Sequence, residues 1–122
     1  MKQSLEIPGQ FPSLNEVIRM AKSHWSKYAR EKKKMTESVA WVASALALKS
    51  HERPVSVTFT WWEPNARRDV DNCRAIGCKS ILDGLFMAQV LKSDGQKHVQ
   101  QLRDFFYIDR ENPRVLVTIE DL

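Results

Sequence analysis

Val55-Ser56-Val57-Thr58-Phe59-Thr60-Trp61-Trp62-Glu63 begins just after Pro54 and stops at Pro64-Asn65. Val55, Val57, Phe59 and Trp61 alternate with Ser56, Thr58, Thr60 and Trp62, which is the period of a strand with one apolar face. Neighbouring Trp61 and Trp62 must point to opposite faces, so the second face is expected to be partly covered, by a helix or by a partner subunit. Downstream, Cys73, Ile76, Gly77, Ser80, Ile81 and Gly84 share one side of a helix. Gly77, Ser80 and Gly84 are small enough to let that helix approach the sheet closely, and Gly77 and Gly84 are otherwise poor helix formers.

Working outward, residues 98–108 and 114–119 read as two further strands separated by Asp109-Arg110-Glu111-Asn112-Pro113. They are predicted to pair as a hairpin. The second alternates cleanly, whereas the first does not and is expected to carry a bulge around residues 104–106. Toward the N-terminus, residues 4–7 form a short strand closed by Pro8-Gly9. Pro12-Ser13-Leu14-Asn15 then turns into a short helix with Ser13 as its cap. From about residue 29 to residue 49, Met35, Val39, Val42, Ala43 and Leu46 recur at steps of three and four, marking an amphipathic helix. The expected fold is therefore α+β: one domain over residues 1–122, with a small mixed sheet of about four strands packed with helices.

An apolar share of 43% and a charged share of 28% are ordinary for a folded globular chain and give no reason to expect wholesale disorder. The longest nearly uncharged run, residues 38–48, is too short to span a bilayer, and no apolar leader opens the sequence. A cytoplasmic protein is expected. Its net charge of +4 is compatible with an anionic partner without demanding one. Cys73 and Cys78 lie at a spacing that does not bring them together on a helix. No second Cys or His pair completes a zinc set, so both read as reduced packing residues.

The chemistry concentrates in residues 67–95, which open Arg67-Arg68-Asp69-Val70-Asp71-Asn72. If the backbone up to Val70 is extended, a period of two places Asp69 and Asp71 on the same side, where both carboxylates can face one cation. Asp94, at a Ser-Asp-Gly turn, supplies a third acid. Lys79 lies eight residues beyond Asp71, on the same helical side about 12 Å further along, and leans back toward the acids. A lysine there can hold a phosphate or stabilise charge developing on it. Hard oxygen ligands favour Mg²⁺ or Mn²⁺ over zinc, and such an ion suits phosphate hydrolysis. The plainer readings are capping and solvated surface for the aspartates, and an i,i+4 pair with Asp83 for Lys79. His98, alone at the head of a strand, reads as structural. The basic start of the long helix, Arg30-Glu31-Lys32-Lys33-Lys34, follows Trp25 and Tyr28, and that mixture can track a nucleic-acid backbone or simply be solvated.

With these residues in view, the sequence resembles the RusA-type Holliday-junction resolvases, small endonucleases frequent in phages and prophages. The resemblance rests on Arg68-Asp69-Val70-Asp71-Asn72, Lys79-Ser80-Ile81-Leu82-Asp83-Gly84-Leu85, Ser93-Asp94-Gly95-Gln96 and the early Pro12-Ser13-Leu14-Asn15. It implies a RusA-like homodimeric, Mg²⁺-dependent endodeoxyribonuclease. Such an enzyme binds four-way DNA and makes paired symmetric nicks with 5′-phosphate ends, in DNA recombination and repair. On that resemblance Asp69, Asp71 and Asp94 match the catalytic, metal-holding acids and Lys79 the essential lysine. Arg67, Arg68, Asn72, Asn15, Lys32, Lys33 and Lys34 are the expected DNA contacts. The late acidic pair of the family is here Ser93-Asp94, and the interval from Asn72 to Lys79 is longer than in some members. The alternatives are a non-catalytic branched-DNA-binding module and a metal nuclease acting on forks or flaps.

Overall fold

The computed structural model describes residues 1–122. Along the chain run β1 (Lys2–Pro8), α1 (Leu14–Ser23), α2 (Trp25–Ala45), β2 (Val55–Glu63), α3 (Val70–Met87), β3 (Val99–Ile108) and β4 (Arg114–Asp121). The fold is α+β: one four-stranded mixed sheet in the order β1-β4-β2-β3, with three helices. β4 runs antiparallel to both β1 and β2, and β2 runs parallel to β3. A parallel pair needs a crossover connection, and α3 provides it.

The alternation in β2 decides the layering. Val55, Val57, Phe59 and Trp61 are buried together with Leu5 and Ile7 of β1 and Val115, Val117 and Ile119 of β4. Val39 and Ala43 of α2 and Cys78, Ile81, Leu82 and Leu85 of α3 close the same core. The helices thus cover one face of the sheet. On the other face no helix lies over Trp62: it stacks on Tyr107 at 5.9 Å, and the Arg114 guanidinium lies 4.0 Å over its ring.

Glycine lets α3 pack closely, at Gly77 against the sheet as expected and at Gly84 against α2 and not the sheet. An ideal Cβ at Gly77 would stand 2.7 Å from the Trp61 ring, and one at Gly84 would stand 2.5 Å from Val39 Cβ. No helix is long and apolar enough to cross a membrane.

Several expectations are corrected. β3 and β4 do not form a hairpin: β2 lies between them. The reason is burial, because β4 presents three fully or nearly fully buried residues, Val115, Val117 and Ile119, and needs a neighbour on each side. β3, with Gln100, Gln101, Arg103 and Asp104, tolerates the edge. The irregularity in β3 falls at its start, where Val55 pairs with Val99 and Ser56 with Gln101, leaving Gln100 as the extra residue; residues 104–106 pair regularly. The second helix begins at Trp25, earlier than the apolar pattern indicates, and ends at Ala45, leaving Leu46 exposed. Its buried face is Thr36, Val39, Ala40 and Ala43.

Candidate active site at the start of α3

Two helix N-termini meet beside the motif. Ser13 accepts the Glu16 N–H at 3.1 Å and caps α1 as the sequence indicates. The Asn15 N–H, also in the first turn of α1, donates to Asn72 Oδ1 of α3 at 3.0 Å. Arg68 completes the junction: it donates to the Phe11 carbonyl and to Glu16 Oε1, each at 2.9 Å, and stands 3.9 Å from Glu63. Arg68 and Asn72 therefore use their polar groups to fasten α1 to α3. Arg67, by contrast, is exposed.

Asp69 is the N-cap of α3, with extended backbone (ψ 157°), and Asp71 lies in the first turn. The helix starts at Val70, so an extended period of two does not carry as far as Asp71. What relates the two acids is the helix end, where unpaired N–H groups and the dipole favour negative charge. Both side chains are exposed. The Asp69 carboxylate makes no capping bond, and Asp71 Oδ1 accepts the Asn72 N–H at 2.9 Å.

Asp94 belongs to a different cluster. Lys79 Nζ donates to Asp83 Oδ1 at 2.9 Å and to Asp94 Oδ2 at 3.3 Å, joining the middle of α3 to the turn before β3. The hydrogen bond to Asp83, reinforced by that to Asp94, holds the Lys79 ammonium above the ordinary lysine range. It is a firm cation and not a general base. In return the Lys79 hydrogen bond holds the Asp94 carboxyl below its usual range. Lys79→Ala is expected to return the Asp94 titration upward to ordinary carboxylate values, read by carboxyl-carbon NMR against pH. An unmoved Asp94 titration would show that the contact does not form in solution.

Asp69, Asp71 and Asp94 are thus not gathered into one ligand group, and no set of three His, Cys, Asp or Glu side chains is assembled to hold a metal. Lys79 lies about 12 Å of helical rise beyond Asp71, and Asp94 goes with it. The donor chemistry nonetheless fits a hard divalent cation at the start of α3: two exposed carboxylates, one of them free of any capping role.

The basic segment of α2 reaches this region. Tyr28, Lys32 and Met35 line a cavity of about 60 Å³ together with Ile76, Lys79 and Ser80 of α3. Lys33 and Lys34 stand on the exposed surface of α2, in loose pairs at 3.9 Å with Glu37 and Glu31.

One acid escapes sequence reading. Glu63 continues the buried face of β2, accepts from Gln10 Nε2 at 2.7 Å and sits by Arg68. A carboxylate at the next inward position after Trp61 is the signal that could have found it. Burial and then Glu63 push the Cys73 thiol up to about 12, and burial raises Cys78 as well, so neither is a nucleophile. His98 is buried, and burial, followed by the nearby His51, lowers its pKa. No family model and no curated protein matches the chain.

Proposed function

We propose that the chain is a metal-dependent endodeoxyribonuclease of the RusA type. As a homodimer, it would resolve four-way DNA junctions by paired symmetric phosphodiester hydrolysis, leaving 5′-phosphate ends, in recombination and repair. The observation that carries the reading is the meeting of Lys79 with Asp94 across fifteen residues, beside a cavity that α2 lines with Tyr28 and Lys32. A phosphate chain lying there has a lysine pair and a ring within one short path. The cytoplasm of a bacterial or phage-infected cell is the setting this reading implies.

Asp69 and Asp71 are the residues that would hold Mg²⁺ or Mn²⁺; Asp94, the third acid on the resemblance, stands with Lys79 about 12 Å of helical rise further along α3. Once bound, such an ion polarises a phosphoryl oxygen and lowers the pKa of water. Lys79, a cation shared between two carboxylates, exchanges one of them for a phosphate oxygen when DNA arrives. That exchange releases Asp94 at the moment the substrate is in place. Arg67 and Lys32 to Lys34 attract the backbone, a contribution that weakens with salt. Arg68, Asn72 and Asn15 act by holding α1 against α3.

One observation favours a second reading, a non-catalytic branched-DNA binder. Pairing with Lys79 neutralises Asp94 and removes part of the acid cluster's repulsion of phosphate. Incubation of a four-way junction, a fork, a flap and a linear duplex with the protein and Mg²⁺ separates the alternatives. Symmetric, ligatable nicks confined to the junction are expected. Equal cutting of the fork or flap would replace the substrate, and tight junction binding with no cleavage of any DNA would establish the binder.

A further inference from the structure

The turn that carries Asp94 is held at each end by a histidine. At its start the His51 N–H donates to the Val90 carbonyl at 2.9 Å, and His51 forms an isolated parallel bridge with Leu91. Val90 and Leu91 are buried, and Asp94 follows directly after Lys92 and Ser93. At its end stands His98. The Val55 N–H donates to the His98 carbonyl at 2.8 Å, and the N–H groups of His98 and Val99 fold back onto the Gly95 carbonyl at 3.1 and 2.9 Å. Both histidine side chains are buried, and neither has a part in the chemistry proposed above.

The hydrogen bonds around His51 fix its proton. Gln3 Oε1 accepts the Lys49 N–H at 2.7 Å and Gln3 Nε2 donates to the Lys49 carbonyl at 2.8 Å, so the amide cannot turn over without losing both bonds. Its remaining N–H goes to His51 Nε2, 2.9 Å away, which must accept. His51 Nδ1 therefore carries the hydrogen and donates it to Asp121 Oδ1 at 2.7 Å. The other Asp121 oxygen takes the Met1 ammonium at 3.0 Å. In this arrangement the His51 ring is neutral and ties β1 to β4.

His98 has no such set. Its Nε2 is buried without a hydrogen-bond partner. The acids around it are already paired: Glu52 with Lys92, and Asp121 with His51 and the Met1 ammonium. A charged His98 would thus face the Lys92 ammonium, a neutral His51 and no free carboxylate. Burial first, then His51 and Lys92, hold its pKa below the ordinary histidine value. A group shifted in that direction stabilises the folded arrangement fully above about pH 6.5, and the contribution is lost as the pH falls further. We propose that the neutral pair His51 and His98 positions the Asp94 turn against Lys79, and that a proton on His98 releases it. Asp94 itself stays ionised in that range, because the Lys79 hydrogen bond holds its carboxyl below the usual value. The device rests on the nuclease reading only for the importance of Asp94. Its test follows the turn and not cleavage, so either can fail alone.

Amide hydrogen exchange of the full chain, followed by NMR and corrected for the intrinsic rate at each pH, reads the turn directly. Between about pH 7.5 and about pH 5.5, protection of the His98 and Val99 amides is expected to fall. The lower value lies about one unit below the ordinary histidine pKa, so one histidine that takes its proton only when the turn opens accounts for a loss of up to about tenfold. His98→Leu replaces the unpartnered ring with an apolar side chain, and its protection is expected to stay level over the same range. A second measurement needs no variant: imidazole nitrogen shifts at about pH 7.5 should place the His51 proton on Nδ1. Wild-type protection that does not fall, a fall of equal size in a folded His98→Leu protein, or a His51 proton on Nε2 would each overturn the proposal.

Discussion

Asp71→Asn is expected to lower Mg²⁺-dependent cleavage of a four-way junction by about 10²–10³-fold or more while leaving junction affinity nearly unchanged. Asparagine keeps the size of the side chain and one oxygen acceptor. Its Oδ1 can still take the Asn72 N–H that Asp71 accepts at 2.9 Å, so the start of α3 survives. What disappears is a full negative charge at an exposed helix terminus. For the fold that loss costs about 0.3–1 kcal/mol, the scale of a charge–dipole interaction at a surface. For a divalent cation it removes half of the charge offered by Asp69 and Asp71. Binding to phosphates, if anything, gains from the loss of a repelling group. Single-turnover cleavage and gel-shift titration at one fixed salt concentration separate the two effects. A variant cutting at the wild-type rate would remove Asp71 from the site.

Gly84→Ala carries the largest expected cost to stability, about 1–3 kcal/mol, seen as a lower urea midpoint at an unchanged slope. The sign is informative. In an unconstrained helix interior the same change would stabilise by about 0.5–1 kcal/mol, because alanine is the better helix former. Here the added methyl would stand 2.5 Å from Val39 Cβ and 2.8 Å from the Thr36 carbonyl. Val39 is wholly buried and the Thr36 oxygen is backbone, so neither can yield as a flexible side-chain end would. α2 and α3 must move apart, opening the core that Ile81 and Leu85 fill. A midpoint that held or rose would show that the two helices are less tightly pressed together than their glycine contact implies.

How much of this was legible in the sequence depends on the range of the interaction that fixes each feature. The alternation of residues 55–63 and the Ser13 cap are local, and both appear as read. Gly77 announced the close approach of α3 to the sheet, at Trp61, whereas Gly84 faces α2 at Val39 and Thr36 and not the sheet, a difference that local sequence does not carry. Strand order was not legible. Residues 109–113 have the length of a hairpin turn, yet the burial of Val115, Val117 and Ile119 sends β4 past β2 to the interior of the sheet. That outcome depends on which strands compete best for the centre, a property of the whole set. The candidate site divides the same way. Asp69 and Asp71 at the α3 start follow from adjacency in the chain, whereas the bridge from Lys79 to Asp94 closes over the intervening loop. Arg68 and Asn72 carry the right chemistry for DNA contact, but here their polar groups clasp α1. Nothing in their own neighbourhood of sequence distinguishes the two uses.

The place of β4 has a kinetic meaning. The last strand in chain order sits between the first strand and the third element of the sheet, β2. β1 has no neighbour in the sheet, and β2 lacks one of its two, until residues 114–121 arrive. The β2, α3 and β3 segment can form early, since its crossover is continuous in sequence. β1 must wait across more than a hundred residues for its partner, from Lys2 to Glu120. Closing so long a loop before any contact rewards it places the chain among the slow folders, on the order of milliseconds to seconds. During synthesis the half-built sheet therefore waits, with the edge of β2 exposed, for the final strand to be inserted.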